Sequence, residues 1–213
     1  MKFYDNEFEF EVEPGEFETQ FSVVDKDTFT AAEEGACCLN FASHKRPGGG
    51  YKAVMDRKGP IRTQEEDLFR RSNLPELMDT KTVREHYPLK GLQALYCPSI
   101  RVSKDKVLNP IEPFNVSLVT VPAVVNPQEE HEELVKGKVK RIFQIAADNQ
   151  QTTLILGAWG CGIFNNDPDT IAGLFKDELD GDFKGVFEKV IFAVPGKDHP
   201  NHRAFLQLYN API

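Results

Sequence analysis

Nothing in this chain approaches the roughly 18 consecutive apolar residues of a membrane span. After Lys2 the sequence runs into Phe-Tyr-Asp-Asn-Glu rather than an apolar stretch, so no signal peptide is expected. Cysteine is scarce: Cys37, Cys38, Cys97 and Cys161 are the full set. Adjacent Cys37 and Cys38 face opposite sides of a strand, which argues against a disulfide framework or a zinc knuckle. They are expected as reduced, buried thiols of a cytoplasmic protein, or a nuclear one if the source is eukaryotic or viral. His199-Pro-Asn-His202 approximates a metal-ligand spacing, but no carboxylate or cysteine motif accompanies it; helix-start polar residues are the better reading, and no metal or cofactor is expected. A Walker A loop is missing, as is the usual dinucleotide fingerprint near an N-terminal strand. There is no internal repeat, low-complexity tract or linker, so a single domain is expected over residues 1–213, with 1–20 as an added strand. A net charge of -8 argues against nonspecific nucleic-acid binding through the whole surface.

What the chain does hold is an ordinary globular composition, 40% hydrophobic and 27% charged, long enough to bury a real core. The charge is uneven. Between His44 and Arg62 sit Lys45, Arg46, Lys52, Arg57, Lys58 and Arg62 against the single acid Asp56. Such an island is either a solvated loop or the seat of a local anionic ligand.

Phe8–Glu13 alternates apolar and acidic residues, the period of a half-buried strand. Phe21–Val24 predicts another strand, and Asp27–Glu34 a short helix. Ala36–Phe41 is continuously apolar apart from Asn40, as a strand buried on both faces would be. Further strands are predicted within Ala94–Val102, Val116–Val121, Thr152–Leu156 and Val190–Val194. Glu129–Asn149 carries a helical stripe through Leu134, Val139, Ile142, Phe143 and Ala146, weakened at Gly137. Asp167-Pro168 starts another helix, with Asp as cap and Pro in the first turn. His202–Tyr209 predicts a terminal helix. Strands alternating with helices argue for a three-layer α/β/α fold.

Two glycine-rich turns carry the candidate chemistry. Asn40-Phe-Ala-Ser-His-Lys-Arg-Pro-Gly-Gly-Gly50 places a side-chain-free loop after a buried strand, where open α/β sheets bind ligands; a simple tight bend explains the same glycines. Thirteen residues later comes Gln64-Glu65-Glu66. Thr63 with Glu66 fits a capping box, and glutamates suit a first helical turn. The competing reading is an acid that protonates a departing ribose oxygen as the anomeric carbon becomes cationic. Neighbouring helical side chains diverge by about 100°, so Glu65 and Glu66 should have different jobs. The second turn, Leu156-Gly-Ala-Trp-Gly-Cys-Gly-Ile-Phe-Asn166, lies between a strand and a helix start, where amides can cradle a diphosphate. Core packing is the plain alternative for Trp159 and Phe164.

Taken together, Asn40–Gly50, Gln64–Ser72 and Leu156–Asn166 resemble the microbial-type poly(ADP-ribose) glycohydrolases of the macrodomain superfamily, in order and placement over roughly residues 21 to 205. The resemblance implies a macrodomain fold with a mixed central sheet. It implies an enzyme that cleaves ribose–ribose O-glycosidic bonds, with Glu66 as catalytic acid and Glu65 beside it holding ribose or the adjoining unit. It further implies substrate contacts at Asn40, Gly48, Gly49, Gly50, Gln64, Gly160, Cys161, Gly162, Ile163 and Phe164. Asp27 would read the adenine, with Asp25 as the alternative. The partners implied are ADP-ribose, or poly(ADP-ribose) on protein, with ADP-ribosylated nucleic acid as a further candidate, bound by a monomer. Two departures stand out: Ser43 replaces the family's second asparagine, and residues 51–63 exceed its usual spacing. That longer cationic loop is expected to grip phosphates of an extended substrate. The alternatives are a hydrolase of single ADP-ribose groups on DNA or side chains, and a reader that binds without turnover.

Overall fold

Alternation along the central strands sends side chains to two separate cores. In the computed structural model, which describes residues 1–13, 15–57, 59, 61 and 63–209, Cys37 packs in one core and Cys38 in the other. Leu154 and Leu156 divide from Ile155 in the same way, as do Val190 and Phe192 from Ile191. Both faces of the sheet are therefore covered, which is why these strands read as unbroken apolar runs.

Among the described residues the strands are β1 (Lys2–Tyr4), β2 (Gln20–Val24), β3 (Cys37–Phe41), β4 (Ala94–Lys104), β5 (Pro110–Val121), β6 (Thr153–Leu156) and β7 (Lys189–Ala193). They form one sheet in the order β1-β4-β5-β3-β6-β7-β2. β5, β3, β6, β7 and β2 pair in parallel, while β4 and β1 add antiparallel strands at one side. Helices α1 (Thr28–Ala31), α2 (Gln64–Arg71), α3 (Leu74–Met78) and α4 (Lys81–Arg84) cover one face. Helices α5 (Glu132–Asp148), α6 (Pro168–Asp180) and α7 (Pro200–Tyr209) cover the other. The mixed sheet and three layers match the expectation. No described helix is long and apolar enough to cross a membrane.

The α5–α7 layer is held by an aromatic cluster. Phe143 lies 5.7, 5.3 and 5.8 Å from Phe175, Phe183 and Phe187, and Phe192 lies 5.1 Å from Phe205. Each such buried side chain contributes about 1.5–3 kcal/mol of transfer free energy.

The N-terminal expectation needs correcting. Phe8–Glu13 keeps its alternation, with Phe8, Phe10 and Val12 half-buried and the glutamates exposed, but it joins no ladder. The added strand is β1, whose Lys2–Tyr4 already occupies the free edge of β4. The guanidinium of buried Arg141 donates to Asp5 O and Phe8 O, both at 2.8 Å, and so ties down the next segment without a strand partner. α1 also stops earlier than expected, at Ala31, and the chain is extended at Ala32.

Candidate active site

The parallel strands β2, β7, β6 and β3 end on the same side, and the turns that follow them converge there. β6 accompanies β3 only to Cys38, leaving the last residues of that edge without a ladder. Gln64, the first residue of α2, fills the gap with its side-chain amide. Its Oε1 accepts from Phe41 N at 2.9 Å, and its Nε2 donates to Leu39 O at 2.7 Å and Thr28 Oγ1 at 3.0 Å. Both ends of this amide therefore serve the fold. The Gln64 amide forms a peptide-like patch that fixes where α2 begins.

The next two side chains take opposite directions, as their 100° divergence requires. Glu65 turns inward and is only 3% exposed. Its Oε1 accepts from Asn40 Nδ2 at 3.2 Å and Gly48 N at 3.1 Å, and its Oε2 from Ser43 N at 2.8 Å. It thus clasps the Ser43–Gly48 loop at both ends. Glu66 is half-buried, and its Oε1 accepts from Gly50 N at 3.0 Å. The capping box is not formed: Thr63 makes no side-chain cap, and Glu66 reaches across to the glycine run instead of back to Thr63.

The glycine run is shaped around these two acids. Gly49 has φ +52°, and a Cβ there would lie 2.7 Å from Glu66 Oε1 and 3.3 Å from Glu65 Oε2. The amides of Gly48, Gly49 and Gly50 go to Glu65, Arg46 O and Glu66. Two of these amides thus hold the paired glutamates in place.

Burial pushes the Glu65 carboxyl up to about 8, with Glu66 adding to the rise while the Ser43, Asn40 and Gly48 donors oppose it. An unfolded glutamate titrates near 4.5, so the unfolded chain releases this proton first as pH rises. The contribution of Glu65 to stability is therefore expected to decline between pH 4.5 and about 8 and to be level outside that window. Chemical denaturation of wild type and Glu65→Gln at several pH values checks this. The stability difference should shift in favour of the variant as pH rises; a constant difference would remove the assignment.

The second turn follows β6. Gly157 is pinched against the neighbouring strands, since a Cβ there would come 2.6 Å from Ala193 O and 3.1 Å from Phe41 Cζ. Trp159 is fully buried and donates Nε1–H to Val121 O at 2.8 Å, so it is a core residue. Gly160 has φ +76°, and its missing Cβ leaves room for Asn166 Nδ2, which donates to Val124 O at 2.8 Å and to Gly160 O at 3.1 Å. The Cys161 amide donates to Ala158 O at 3.2 Å, inside the turn. Among the described residues the amides of Gly160, Gly162, Ile163 and Phe164 have no such partner. Gly162 has open space around it, Ile163 is 78% exposed, and Phe164 packs partly on the core. Asp167 then caps α6 by accepting from Thr170 N at 2.8 Å. This turn offers unoccupied donors in the place of an anion cradle, with Cys161 a member by position and not by its amide.

Asp27 stands at the end of β2 and caps α1, accepting from Thr30 N at 2.9 Å and from Arg71 Nη1 at 2.5 Å. Asp25 accepts from Gly196 N at 2.6 Å, tying the ends of β2 and β7. Asp27 is thus held rigidly by Arg71, a role that its sequence neighbours do not reveal. Asp79 is a second unanticipated anchor. It accepts from Tyr51 Oη at 2.7 Å and pairs with Lys52 Nζ at 2.8 Å and with Arg84, and these two cations and the hydroxyl hold its carboxyl down at about 2 despite desolvation. The Tyr51 ring supports Gly48, where a Cβ would come 2.6 Å from it. In the long insertion, buried Arg70 donates to the carbonyls of Arg57 and Gly59. Lys58 and Arg62, expected to grip phosphates, lie outside the described residues.

A hollow of about 420 Å³ lined by Val12, Gly15, Phe17, Gly181, Lys184 and Gly185 lies before β2 and β7 begin, at the opposite end of these strands. It shares no residue with the glutamate pair. Among the described residues no three His, Cys, Asp or Glu side chains converge to hold a metal ion.

An α/β/α sheet with two acids held by a glycine run, and a turn of unpaired amides after β6, is the arrangement expected of a macrodomain-type glycohydrolase. Residues 1–105 match the family model described as microbial-type PARG, catalytic domain. Solved structures agree over nearly the whole chain. The poly(ADP-ribose) glycohydrolase from Deinococcus radiodurans in complex with ADP-ribose is 32% identical with a TM-score of 0.79, covering 91% of this chain and 84% of that one. The enzyme from Thermomonospora curvata is 29% identical with a TM-score of 0.79, covering 92% and 79%. Its form bound to the inhibitor ADP-HPD is 30% identical with a TM-score of 0.75, covering 90% and 79%. No curated protein sequence matches. The chain belongs to the microbial-type poly(ADP-ribose) glycohydrolase family.

Proposed function

We propose that Glu66 is the acid with which this glycoside hydrolase cleaves the ribose–ribose bonds of poly(ADP-ribose) and releases ADP-ribose. The observation that carries the assignment is the division of labour between the paired acids: Glu65 is enclosed by three donors, while Glu66 is half-buried with one oxygen held by Gly50 N. Relatives of this family bind ADP-ribose and ADP-HPD, and this supports placing the terminal ADP-ribose unit across the ends of β2, β6 and β3. The free amides of Gly160, Gly162, Ile163 and Phe164 receive the diphosphate and Asp27 stands by the adenine, while Asn40, fully buried, acts through Glu65, to which its Nδ2 donates at 3.2 Å.

The reaction then needs one proton moved twice. The bond between the anomeric carbon and the departing 2′ oxygen breaks, and Glu66 gives its proton to that oxygen. Positive charge spreads over the ribose ring as this happens. Glu66, now a carboxylate, takes a proton from a water whose oxygen bonds to the anomeric carbon, and the acid is restored.

Polymer carried on protein is the substrate this reading favours. The insertion around Arg57 and Gly59, whose carbonyls accept from Arg70, motivates a second one, removal of a single ADP-ribose from DNA or a side chain, because it follows directly on the glycine run in the chain. Digestion of defined poly(ADP-ribose) and of singly modified protein and DNA separates the two. Release of ADP-ribose from polymer at the higher kcat/KM is expected; release from the single modifications alone would overturn the first reading.

A further inference from the structure

Much of the cationic island between His44 and Arg62 is engaged or undescribed, and what is left is informative. Lys52 is paired with Asp79. Lys45 and Arg46 are exposed and, among the described residues, make no ion pair. They sit on the tip of the very loop that Glu65 clasps through Ser43 N and Gly48 N.

A third cation reaches this loop from the distant helix α5. Lys138 is only 5% exposed, yet it makes no hydrogen bond or ion pair among the described residues. Its position follows from two contacts. Leu89 N donates to His44 O at 2.8 Å, and a Cβ at Gly137 would lie 3.1 Å from Leu92 Cδ2. The 89–92 turn thus bridges the His44 loop and the part of α5 that bears Lys138. His44 senses both sides: after burial, the charges of Lys45 and then Lys138 hold its pKa below the ordinary value. Burial alone lowers the Lys138 ammonium to about 8, which leaves it largely charged at neutral pH.

The Lys138 stem is buried, but its nitrogen is not among the fully enclosed unpartnered atoms, so the ammonium opens to solvent with no protein anion beside it and is available to a ligand's charge. The order of the sheet says which part of a ligand would do so. Moving from β2 through β6 to β3 takes one from Asp27 past the free amides to the glutamates. β5 and β4 lie next in the same direction. α5 packs on β5, and the 89–92 turn leads into β4. The 89–92 turn and α5 therefore stand on the β5–β4 side of β3, whereas the turn with the free amides follows β6 on the other side of β3.

We propose that Lys45, Arg46 and Lys138 form a subsite for the diphosphate of the ADP-ribose unit on the leaving side of the scissile bond. This rests on the reading above that the terminal unit spans β2 to β3, and it makes the site selective for polymer over a single ADP-ribose group. Three cations against two phosphate charges give that selectivity a strong dependence on salt.

The test uses Glu66→Gln as parent, so that binding is read without turnover. Calorimetry compares ADP-ribose with a two-unit oligomer of ADP-ribose over a range of salt. Adding Lys45→Ala with Arg46→Ala, both on the surface and harmless to folding, should weaken the oligomer about tenfold, the loss of roughly one charged hydrogen bond, and flatten its salt dependence. ADP-ribose itself should be unaffected. Lys138→Met should act in the same direction. Equal weakening of both ligands, or no weakening of either, would overturn the subsite, as would a larger loss for an ADP-ribosylated DNA oligonucleotide than for the oligomer. A wild type that fails to hydrolyse polymer would sink the functional reading, yet the binding difference would still be measurable.

Discussion

Glu66→Gln is expected to lower kcat on poly(ADP-ribose) by roughly 10²-fold or more while ADP-ribose binding persists. The substitution is nearly isosteric, and a carboxamide oxygen can still accept from Gly50 N, as Glu66 Oε1 does at 3.0 Å. What it removes is a transferable proton. Without it the leaving 2′ oxygen departs as an alkoxide, and no base receives the proton of the attacking water. Glu65 cannot substitute, because its oxygens already accept from Asn40, Ser43 and Gly48. Steady-state rates with ADP-ribose calorimetry check the split. A variant that turns over at the wild-type rate would show that the acid lies elsewhere.

Gly49→Ala is expected to be nearly as damaging, through position instead of chemistry. Gly49 has φ +52°, where a side chain costs about 1–2 kcal/mol. The added Cβ would also stand 2.7 Å from Glu66 Oε1 and 3.3 Å from Glu65 Oε2. Either the carboxylates or the loop must yield, and displacing a reacting group by about 1 Å costs on the order of 10²-fold in rate. Gly50→Ala is the internal control. Its Cβ would be 3.6 Å from Glu66 Oε1, an ordinary contact, and its φ of -97° suits alanine. Melting temperatures and kcat for the pair distinguish the two effects. If both variants behave alike, the close fit of Gly49 over the acids is not what the rate depends on.

Much of this arrangement could be read from the chain itself. The continuous apolar run of β3, buried on both faces, and the glycine turns after β3 and β6 carry strong local signals. Cys37 and Cys38 do face opposite cores, and Asp167 does cap α6. Local signals failed where the deciding contact was remote. Phe8–Glu13 has the period of a strand, yet the edge it needed belongs to Lys2–Tyr4 and its carbonyl at Phe8 belongs to Arg141. Thr63 and Glu66 have the spacing of a capping box, but Gly50 N, on the other side of the insertion, competes successfully for Glu66. Divergence of Glu65 from Glu66 followed from helix geometry; which of them turned inward did not, because that depends on Asn40 and the returning loop. Gln64 looked like part of a substrate motif, and only the early end of the β6 ladder explains why its amide is needed by β3. Lys138 carried no sequence signal at all, since its neighbour His44 is far away along the chain.

The whole account reduces to whether the side chain at position 66 meets the anomeric centre of a nucleotide held by the Gly160–Phe164 turn. A crystal structure of Glu66→Gln soaked with ADP-ribose addresses that directly. The account predicts diphosphate oxygens on the amides of Gly160, Gly162, Ile163 and Phe164, with the residue 66 carboxamide hydrogen-bonded at the anomeric hydroxyl of the distal ribose. A nucleotide bound away from that turn, or a carboxamide directed away from the sugar, would contradict it.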